Sequence, residues 1–510
     1  MMVQGSVAAV SEKPTHKRFT LLAILLLTIT VAYIDRVNIT VLMADPAFLN
    51  DLGLTNNPAK TGLLMSCFLV AYGIGNVCLS GLGDILGPKK SMIMAIIIWF
   101  VAMLVGGFAT ILGVMLLSRF LLGLGEGLHF PMMNTYCRAW FPVQEKAKAS
   151  AIWFIGTSVA PAIGMPVFAW IVATHSWHWT FFFAAFIGLI PLFFLGMTAD
   201  TPRQHKTINQ AEIDYIEQGQ VAGTEAAPAE PEGSAVKRIL ANLKVLSKIK
   251  LYWCVVVYYC VHNVVYWGLL TWLPAYLKTE RGFSWSEMGF LASMPFILAI
   301  VCKLIAGWAS DKLGRRAPFI ILATVGVAAS LYFASTLTNN YASAICICLG
   351  MAAITPGAPL ALTMLQELIP KDVISIGTGV MNGLSMLCAA ISPVFLGYLM
   401  SVLGSFAAAL TFLIAVALVG TVSAVILTMN KYGQKNISGR RPVRLPVLKT
   451  AAKMQLSAGA LPLFRCLPTG DRYEKFFPQR TAVPLARLGP AGRSLHDQLF
   501  PQDVCIRRQG

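Results

Sequence analysis

The chain has 510 residues, of which 56% are hydrophobic and only 12% are charged. Soluble globular proteins carry about 25% charged residues, so this composition excludes an ordinary soluble domain and indicates a membrane protein. The net charge is +17, but residues 431–510 hold fifteen Lys or Arg against four Asp or Glu, so most of the excess lies in the tail and does not indicate nucleic-acid binding. The eleven cysteines show no disulfide framework and no zinc spacing.

Apolar runs of about 20 residues, each long enough to cross a bilayer, recur along the chain. They predict helices near residues 19–43, 60–82, 91–111, 113–136, 147–172, 178–198, 251–277, 285–308, 317–337, 341–367, 373–402 and 406–430. The first run is too long for a signal peptide and contains Asp35 and Arg36, so we expect it to be retained as a helix. The sequence therefore predicts an all-α membrane protein with twelve transmembrane helices.

Polar segments divide these helices into two groups of six. The prediction is a cytoplasmic N-terminus (1–18), an N-terminal six-helix bundle (19–198), a central cytoplasmic loop (199–250), a C-terminal six-helix bundle (251–430) and a basic tail (431–510). We expect one short amphipathic helix in the loop, near residues 209–220. The tail has no span and no clear periodicity, which predicts either a disordered extension that contacts anionic lipid or the product of a shifted reading frame.

Lysine and arginine placement predicts the orientation of the helices. The central loop at 199–250 and the basic connections lie on one side of the predicted helices. The basic residues on that side are Lys13, Lys17, Arg18, Lys89, Lys90, Lys146, Lys148, Lys312, Arg315, Arg316 and Lys371. The opposite connections hold little beyond Lys60, Lys278 and Arg281. Both termini of this multi-pass protein of the cell membrane are therefore expected in the cytoplasm.

A short loop motif occurs once in each half of the chain, after the second and after the eighth predicted helix. Each copy combines glycines, an aspartate and two cations: Gly83, Asp84, Gly87, Lys89 and Lys90 in the first, and Gly307, Asp311, Gly314, Arg315 and Arg316 in the second. Glycines allow close helix approach and tight turns, and the cations would hold the loop at an anionic leaflet. Two copies at equivalent places predict that the halves are related by pseudo-symmetry.

Two charged residues, Asp35 and Arg36, stand inside the first predicted helix, in the stretch Tyr33 to Thr40. A charge at membrane depth costs roughly 2.5–3.5 kcal/mol on insertion scales, so residues of this kind are usually functional. The fixed donors of a guanidinium match a carboxylate, which makes Arg36 a candidate ligand for an anion. The alternative is an arginine that pairs with Asp35 for stability alone.

Two carboxyl groups, those of Asp35 and Glu126, are candidate proton sites. A carboxyl in a poorly hydrated cavity favours its protonated form, and loading it on one side and releasing it on the other would couple protons to substrate. Glu126 lies in a glycine-rich apolar stretch, and Arg119 is two turns earlier on the same helix face. Arg119 is expected to tune Glu126, and the alternative is a purely structural pair.

Several motifs together resemble the anion:cation symporter family of the major facilitator superfamily. Besides the two loops, they are the pattern YxDRxN at Tyr33–Asn38, RFxxGxxEG at Arg119–Gly127 followed by Phe130-Pro131, WLPxYL at Trp272–Leu277, Pro370-Lys371 and Gly379–Asn382 with Ser392-Pro393. The resemblance covers roughly residues 18–430, and one departure is Ser80, where the loop motif expects glycine. It implies the major facilitator fold of two pseudo-symmetric six-helix bundles.

The resemblance also implies roles for single residues. Members of this family bind the substrate carboxylate with the arginine that matches Arg36 and couple protons through the matches of Asp35 and Glu126. The resemblance adds Tyr72 and Asn382 as substrate-binding residues, and our alignment puts Thr157 where sugar-acid members carry an amide. Polar or aromatic pocket residues of those members align with Pro359 and Leu362, which favours a substrate with few hydroxyl groups.

Two further polar residues lie within the second half of the chain. His262, among the tyrosines of the seventh predicted helix, could join a proton path, but a hydrogen-bonded or interfacial histidine is the simpler interpretation. Lys303 in the eighth helix is expected to extend towards the cytoplasm or to pair internally.

The resulting prediction is a monomeric, proton-coupled transporter that imports a small organic anion, either a sugar acid or an aromatic or aliphatic monocarboxylate, by alternating access. Its expected partners are that anion, protons and membrane lipid, without cofactor, metal or nucleic acid. The alternatives are proton-driven efflux of drugs or metabolites and a membrane sensor that binds the ligand without moving it. The polar segments show no nucleophile–base pair or metal cluster, so an enzyme is not expected.

Overall fold

A computed structural model of the chain describes residues 13–79, 81–221, 242–370 and 373–430. The predicted tail at 431–510, much of the central loop, Lys371 and the side chain of Asp84 lie outside the described residues.

Twelve helices in the described part of the chain are long and apolar enough to cross a membrane, as predicted. In chain order, α1 to α12 are Lys17–Leu42, Pro58–Cys78, Pro88–Gly107, Leu112–Trp140, Val143–Thr174, His178–Gly196, Lys250–Glu280, Trp285–Leu313, Ala317–Thr336, Asn340–Leu368, Ile374–Leu403 and Phe406–Met429. Consecutive helices run in opposite directions. The near face is the side of the molecule on which α1 begins, and the far face is the side on which it ends.

Local sequence signals set many of the helix ends. Proline occupies the first turn of α2 and α3, where its missing N–H is not needed. Ser284 and Glu287 form a reciprocal capping box at the start of α8. Gly314 and Gly404 end α8 and α11 with φ of +66° and +62°, a conformation that favours glycine.

Several helices extend beyond the apolar runs that predicted them. The helix α4 continues to Trp140 and α5 begins at Val143, because the near-face turns of both are helical although polar. The helix α2 instead ends at Cys78, four residues earlier than predicted, and the separate helix Leu82–Leu86 follows it. Hydropathy finds the part of a helix inside lipid and not its polar ends, which explains the helices that are longer than predicted.

The two halves of the chain repeat the same packing pattern. In the first half α1 packs on α5 and α6, α4 packs on α2 and α3, and α3 also packs on α6. In the second half the same pairs recur with each helix number raised by six. The prediction of two pseudo-symmetric six-helix bundles is confirmed.

The bundles meet through α1 on α7, α2 on α11 and α5 on α8, and the last two pairs are equivalent under the same symmetry. Glycines bring the backbones together near the far face. A Cβ on Gly62 would lie 2.9 Å from Val394 Cα, and a Cβ on Gly289 would lie 2.9 Å from Pro166 Cα. The far-face half of the interface is therefore tightly packed.

The central loop contributes a helix, Gln210–Val221, at the place predicted for an amphipathic helix. The buried carboxylate of Glu212 accepts bonds from the N–H groups of Lys17 and Arg18 at 3.0 and 3.2 Å. It also pairs with Nη1 of Arg18 at 3.0 Å, while Nε of Arg18 pairs with Glu145 at the start of α5. This helix therefore fastens the loop to the near face of the N-terminal bundle.

Candidate functional site

The α1 guanidinium of Arg36 is paired with Glu126 of α4 through its Nε atom, and both side chains are buried. Arg36 and Asp35 are consecutive residues, so their side chains leave the helix about 100° apart and do not face each other. The pair joins two helices of the N-terminal bundle that the sequence separates by ninety positions. Neither of the pairs considered from the sequence, Asp35–Arg36 or Glu126–Arg119, is an ion pair in this structure.

Four aromatic rings surround the Arg36 guanidinium. The carbon Cζ lies 4.0 Å from the ring centroid of Tyr33, 4.7 Å from Tyr72, 5.3 Å from Phe68 and 5.9 Å from Trp267. Cation–π contacts of this kind are worth about 0.5–2 kcal/mol each. Trp267 belongs to α7, so the second bundle completes the cage that the first one begins.

Asp35 is fully buried, and neither carboxylate oxygen has a hydrogen-bond partner among the described residues. Its electrostatic neighbours are Glu126, Arg119 and Arg36. Arg119 is also buried, and its Nη2 atom contacts Met103 Sδ and Ser118 Oγ, at 3.4 and 3.5 Å. Two carboxyl groups and two guanidinium groups thus share one small apolar region, with a single ion pair between them.

The other predicted ligand residues lie in different surroundings. Tyr72 belongs to the cage around Arg36. Thr157 is buried in α5, but its hydroxyl donates to Phe154 O at 2.8 Å and is satisfied by its own helix. Asn382 is half-buried in α11, and the structure joins it to neither Arg36 nor the cage. Pro359 is exposed and Leu362 is half-buried.

Sequence reasoning missed the contribution of α7. It did not single out Trp267, which lies over Arg36 and whose Nε1 atom has no partner among the described residues. Tyr266 stacks on His262 with centroids 6.1 Å apart and planes 7° apart, and Tyr259 stacks on the other side of His262 at 6.0 Å. The spacing of residues 259, 262 and 266 on one helix face was the available signal.

The two loop motifs form different contacts. In the first, Gly87 has a φ of +81°, and the Lys89 ammonium donates to the carbonyl oxygens of Gly196 and Thr198 at the end of α6. This lysine therefore binds the protein and not, as expected, the leaflet. Lys90, next to it, is exposed.

In the second motif, Arg316 pairs with Asp311 at 3.4 Å and with Glu367 at 3.0 Å, tying α8 to the end of α10. Arg315 is exposed. A Cβ on Gly307 would meet no atom within 4 Å, so close helix approach does not explain this glycine, contrary to expectation.

The fold and this site define a membrane transporter built from two related helical bundles. The chain matches the model of the Major Facilitator Superfamily over residues 25–393 and again over 286–469, and it belongs to that family.

The chain is similar to several transporters of organic acids. It is 30% identical to a D-galactonate transporter of Escherichia coli, over 82% of this chain and 97% of the relative. It is 27% identical to a probable galactarate/D-glucarate transporter of E. coli (82% and 94%) and 30% identical to a probable sulfoacetate transporter of Cupriavidus necator (81% and 94%). The chain is thus related to transporters and not to enzymes.

Solved structures show the same fold at low identity. A D-xylose-proton symporter superposes with a TM-score of 0.62 at 16% identity, covering 83% of this chain and 99% of that one. An inward-facing, unoccupied bacterial homologue of the human lysosomal transporter Spinster superposes with a TM-score of 0.61 at 16% identity, covering 82% and 96%.

Proposed function

We propose that the protein is a monomeric, proton-coupled transporter that imports a small organic anion by alternating access. The observation that carries the proposal is the buried pair of Arg36 and Glu126. It connects the best candidate for binding an anion to the best candidate for binding a proton, in a region with no other ion pair among the described residues.

The pair suggests how protons and substrate are coupled. While Glu126 is ionised, it occupies the Nε donor of Arg36, and a substrate carboxylate has to compete with it. Protonation of Glu126 removes that competitor, so the guanidinium can bind the substrate in its bidentate geometry. Asp35 is a second proton acceptor, because its buried oxygens have no other partner among the described residues. Tyr72 and Asn382 would bind the rest of the substrate, with Thr157 at the edge of the site.

Alternating access requires the bundles to separate where they now touch. The packed contacts of α2 on α11 and of α5 on α8 support a closed far face in this structure. Rocking of one bundle against the other would open these contacts and close the near face. Because Trp267 contributes to the Arg36 cage from the second bundle, the same motion would change the surroundings of the guanidinium.

The basic residues of the near-face connections support an orientation in which the near face and both termini are in the cytoplasm. The names of the relatives, which are those of galactonate, galactarate/glucarate and sulfoacetate transporters, support the proposed substrate class. A reporter fused after residues 335–340 would be exported if the orientation is correct. A thermal-shift screen of organic acids on the purified protein would identify the substrate, since ligands stabilise the folded state they bind.

Transport in proteoliposomes tests the proposal. Wild type should exchange its substrate in counterflow and accumulate it when the outside is acidic. Glu126→Gln should keep counterflow and lose proton-driven accumulation, while the exposed Glu217→Gln should keep both. Accumulation by the Glu126 variant would overturn the coupling model, and binding without exchange by wild type would instead identify a sensor. Drug efflux predicts movement of uncharged or cationic substrates without dependence on Arg36.

A further inference from the structure

The helix α10 is interrupted inside the C-terminal bundle. Its two segments are Asn340–Ile354 and Gly357–Leu368, with Thr355 and Pro356 between them. Helical bonding resumes with the Leu360 N–H, which donates to Pro356 O at 3.4 Å. The second segment therefore begins at Gly357, with the positive end of its dipole among buried residues of the bundle, an arrangement by which transporters bind anions.

Two unpartnered polar atoms of α7 meet this helix start. The hydroxyl of Tyr258 and Nδ1 of His262 are buried, with residue exposures of 0% and 5%, and neither has a hydrogen-bond partner among the described residues. Both lie against Gly357. A Cβ there would be 3.4 Å from His262 Nδ1 and would overlap the Tyr258 hydroxyl, so only glycine permits this arrangement.

Lys303 of α8 adds a cation next to them. Its ammonium donates to Ser158 Oγ at 3.0 Å and interacts electrostatically with His262. No carboxylate of the described residues lies within ion-pair distance of Lys303. Lys303 is half-buried in its span, and an anionic ligand would supply the counter-charge that this mid-span cation lacks among the described residues.

The rings of α7 connect this group to Arg36. Trp267 lies over the guanidinium, and Tyr266 beside it stacks on His262. Tyr266 and Trp267 are themselves in contact, with ring centroids 5.6 Å apart. The rings of α7 thus form a series of contacts between the Arg36 guanidinium and the imidazole that lies next to Lys303.

The charged residues in the interior of the described spans also leave an excess of positive charge. Away from the helix ends, the described spans hold the cations Arg36, Arg119 and Lys303 against the carboxyl groups of Asp35 and Glu126. Both carboxyl groups are in the N-terminal bundle. The C-terminal bundle has in Lys303 a mid-span cation and, among the described residues, no acid to balance it.

We propose that Lys303, His262, Tyr258 and the helix start at Gly357 form a second anion subsite, and that the substrate is a two-headed dianion. One acidic group would bind Arg36, and a carboxylate or sulfonate at the other end of a short chain would bind the second subsite. The assignment rests on the proposed function in that it takes Arg36 as the first subsite. It narrows the small organic anion of the proposed function to one with an acidic group at each end.

Matched ligands test it on the purified full-length protein. D-galactonate and galactarate share a six-carbon skeleton and differ in one carboxylate, as do hexanoate and adipate. Wild type should bind the diacid of at least one pair about tenfold or more tighter, as measured by calorimetry. Lys303→Gln should lose about tenfold to hundredfold on the diacid and little on the monoacid, the range for a charged hydrogen bond. Lys303→Arg keeps the positive charge and should retain much of the wild-type preference for the diacid over the monoacid.

The exposed Lys248→Gln, which removes the same charge from the linker before α7, should leave both affinities unchanged. Elution as a single species in gel filtration would show that each variant is folded. A wild type that binds monoacids as tightly as diacids, or equal losses on both ligands in Lys303→Gln, would overturn the second subsite and leave the proposed function standing. A different result would contradict the proposed function itself: Arg36→Gln would bind all four acids as tightly as wild type does.

Discussion

Arg36 is paired with Glu126, a residue of another helix, and not with Asp35, its neighbour in the chain. Removing either partner would leave the other charge buried and unpaired, which costs about 3–5 kcal/mol. A proton on Glu126 has a milder effect, because it converts the pair into a guanidinium beside a neutral acid. The pair is thus a place where a proton changes what Arg36 can bind.

The first prediction concerns the pH dependence of binding. As pH rises, Glu126 becomes ionised and competes with the substrate for Arg36, so wild-type affinity for the anion should fall, by up to about tenfold per pH unit when one proton is coupled to binding. Glu126→Gln cannot ionise and should bind with nearly constant affinity between pH 6 and pH 8. Calorimetry at several pH values measures this. A Glu126→Gln protein with the wild-type slope would assign the competing proton to another group, with Asp35→Asn the next variant to examine.

The sequence was sufficient to predict the twelve helices and their division into bundles, because a hydrophobic span is a local property of about twenty residues. It also placed Arg36, Glu126 and Asp35 inside the membrane. It did not predict that Arg36 would pair with Glu126, because that contact depends on how α1 and α4 are rotated against each other. Arg119 lies on the same face of α4 as Glu126, which made a Glu126–Arg119 pair one of the alternatives. That alternative is wrong, because the rotation of α1 against α4 brings Arg36 to Glu126 instead.

The second prediction concerns the aromatic cage. Trp267→Ala should weaken anion binding by roughly 2- to 30-fold, since a cation–π contact that positions the guanidinium is worth about 0.5–2 kcal/mol. Trp267→Phe keeps an aromatic face and should lose less of the anion affinity than Trp267→Ala does. Trp253→Ala is the matched control on α7, because Trp253 lies on the outer surface of the helix. Equal effects of the two alanine variants would mean that Trp267 only contributes to packing.

The role of Trp267 could not be read from the sequence, since tryptophan in a membrane helix is more often an interface anchor. What distinguishes it is burial against α1 of the other bundle, which only the packing of two six-helix units reveals. The interruption of α10 could be suspected from Pro356-Gly357. The meeting of that interruption with His262 and Tyr258 could not, because it requires the position of α7.

The third prediction concerns closure of the far face. Gly62 and Gly397 each approach the backbone of the opposite bundle so closely that a methyl group would overlap it. Gly62→Ala and Gly397→Ala should therefore disfavour the closed far face and reduce transport several-fold, with labelling of introduced far-face cysteines increased. Gly73→Ala, also on α2 but with no atom within 4 Å of an added Cβ, should behave as wild type. Unchanged labelling in the first two variants would contradict this role.

The fourth prediction concerns the helix Gln210–Val221 and its buried Glu212. Glu212→Gln removes the charge that caps α1 and pairs with Arg18, so the variant should melt at a lower temperature, in line with about 3–5 kcal/mol for breaking a buried pair. Glu217→Gln on the same helix breaks only an exposed pair with Arg203, worth about 0–1 kcal/mol, and should melt as wild type does. Thermal unfolding of the two variants in one detergent makes the comparison. Equal melting temperatures of the two variants would show that the loop helix does not stabilise the N-terminal bundle. A lower melting temperature of Glu212→Gln alone would show that the contact between Glu212 and the start of α1, which are far apart in the chain, stabilises the transporter.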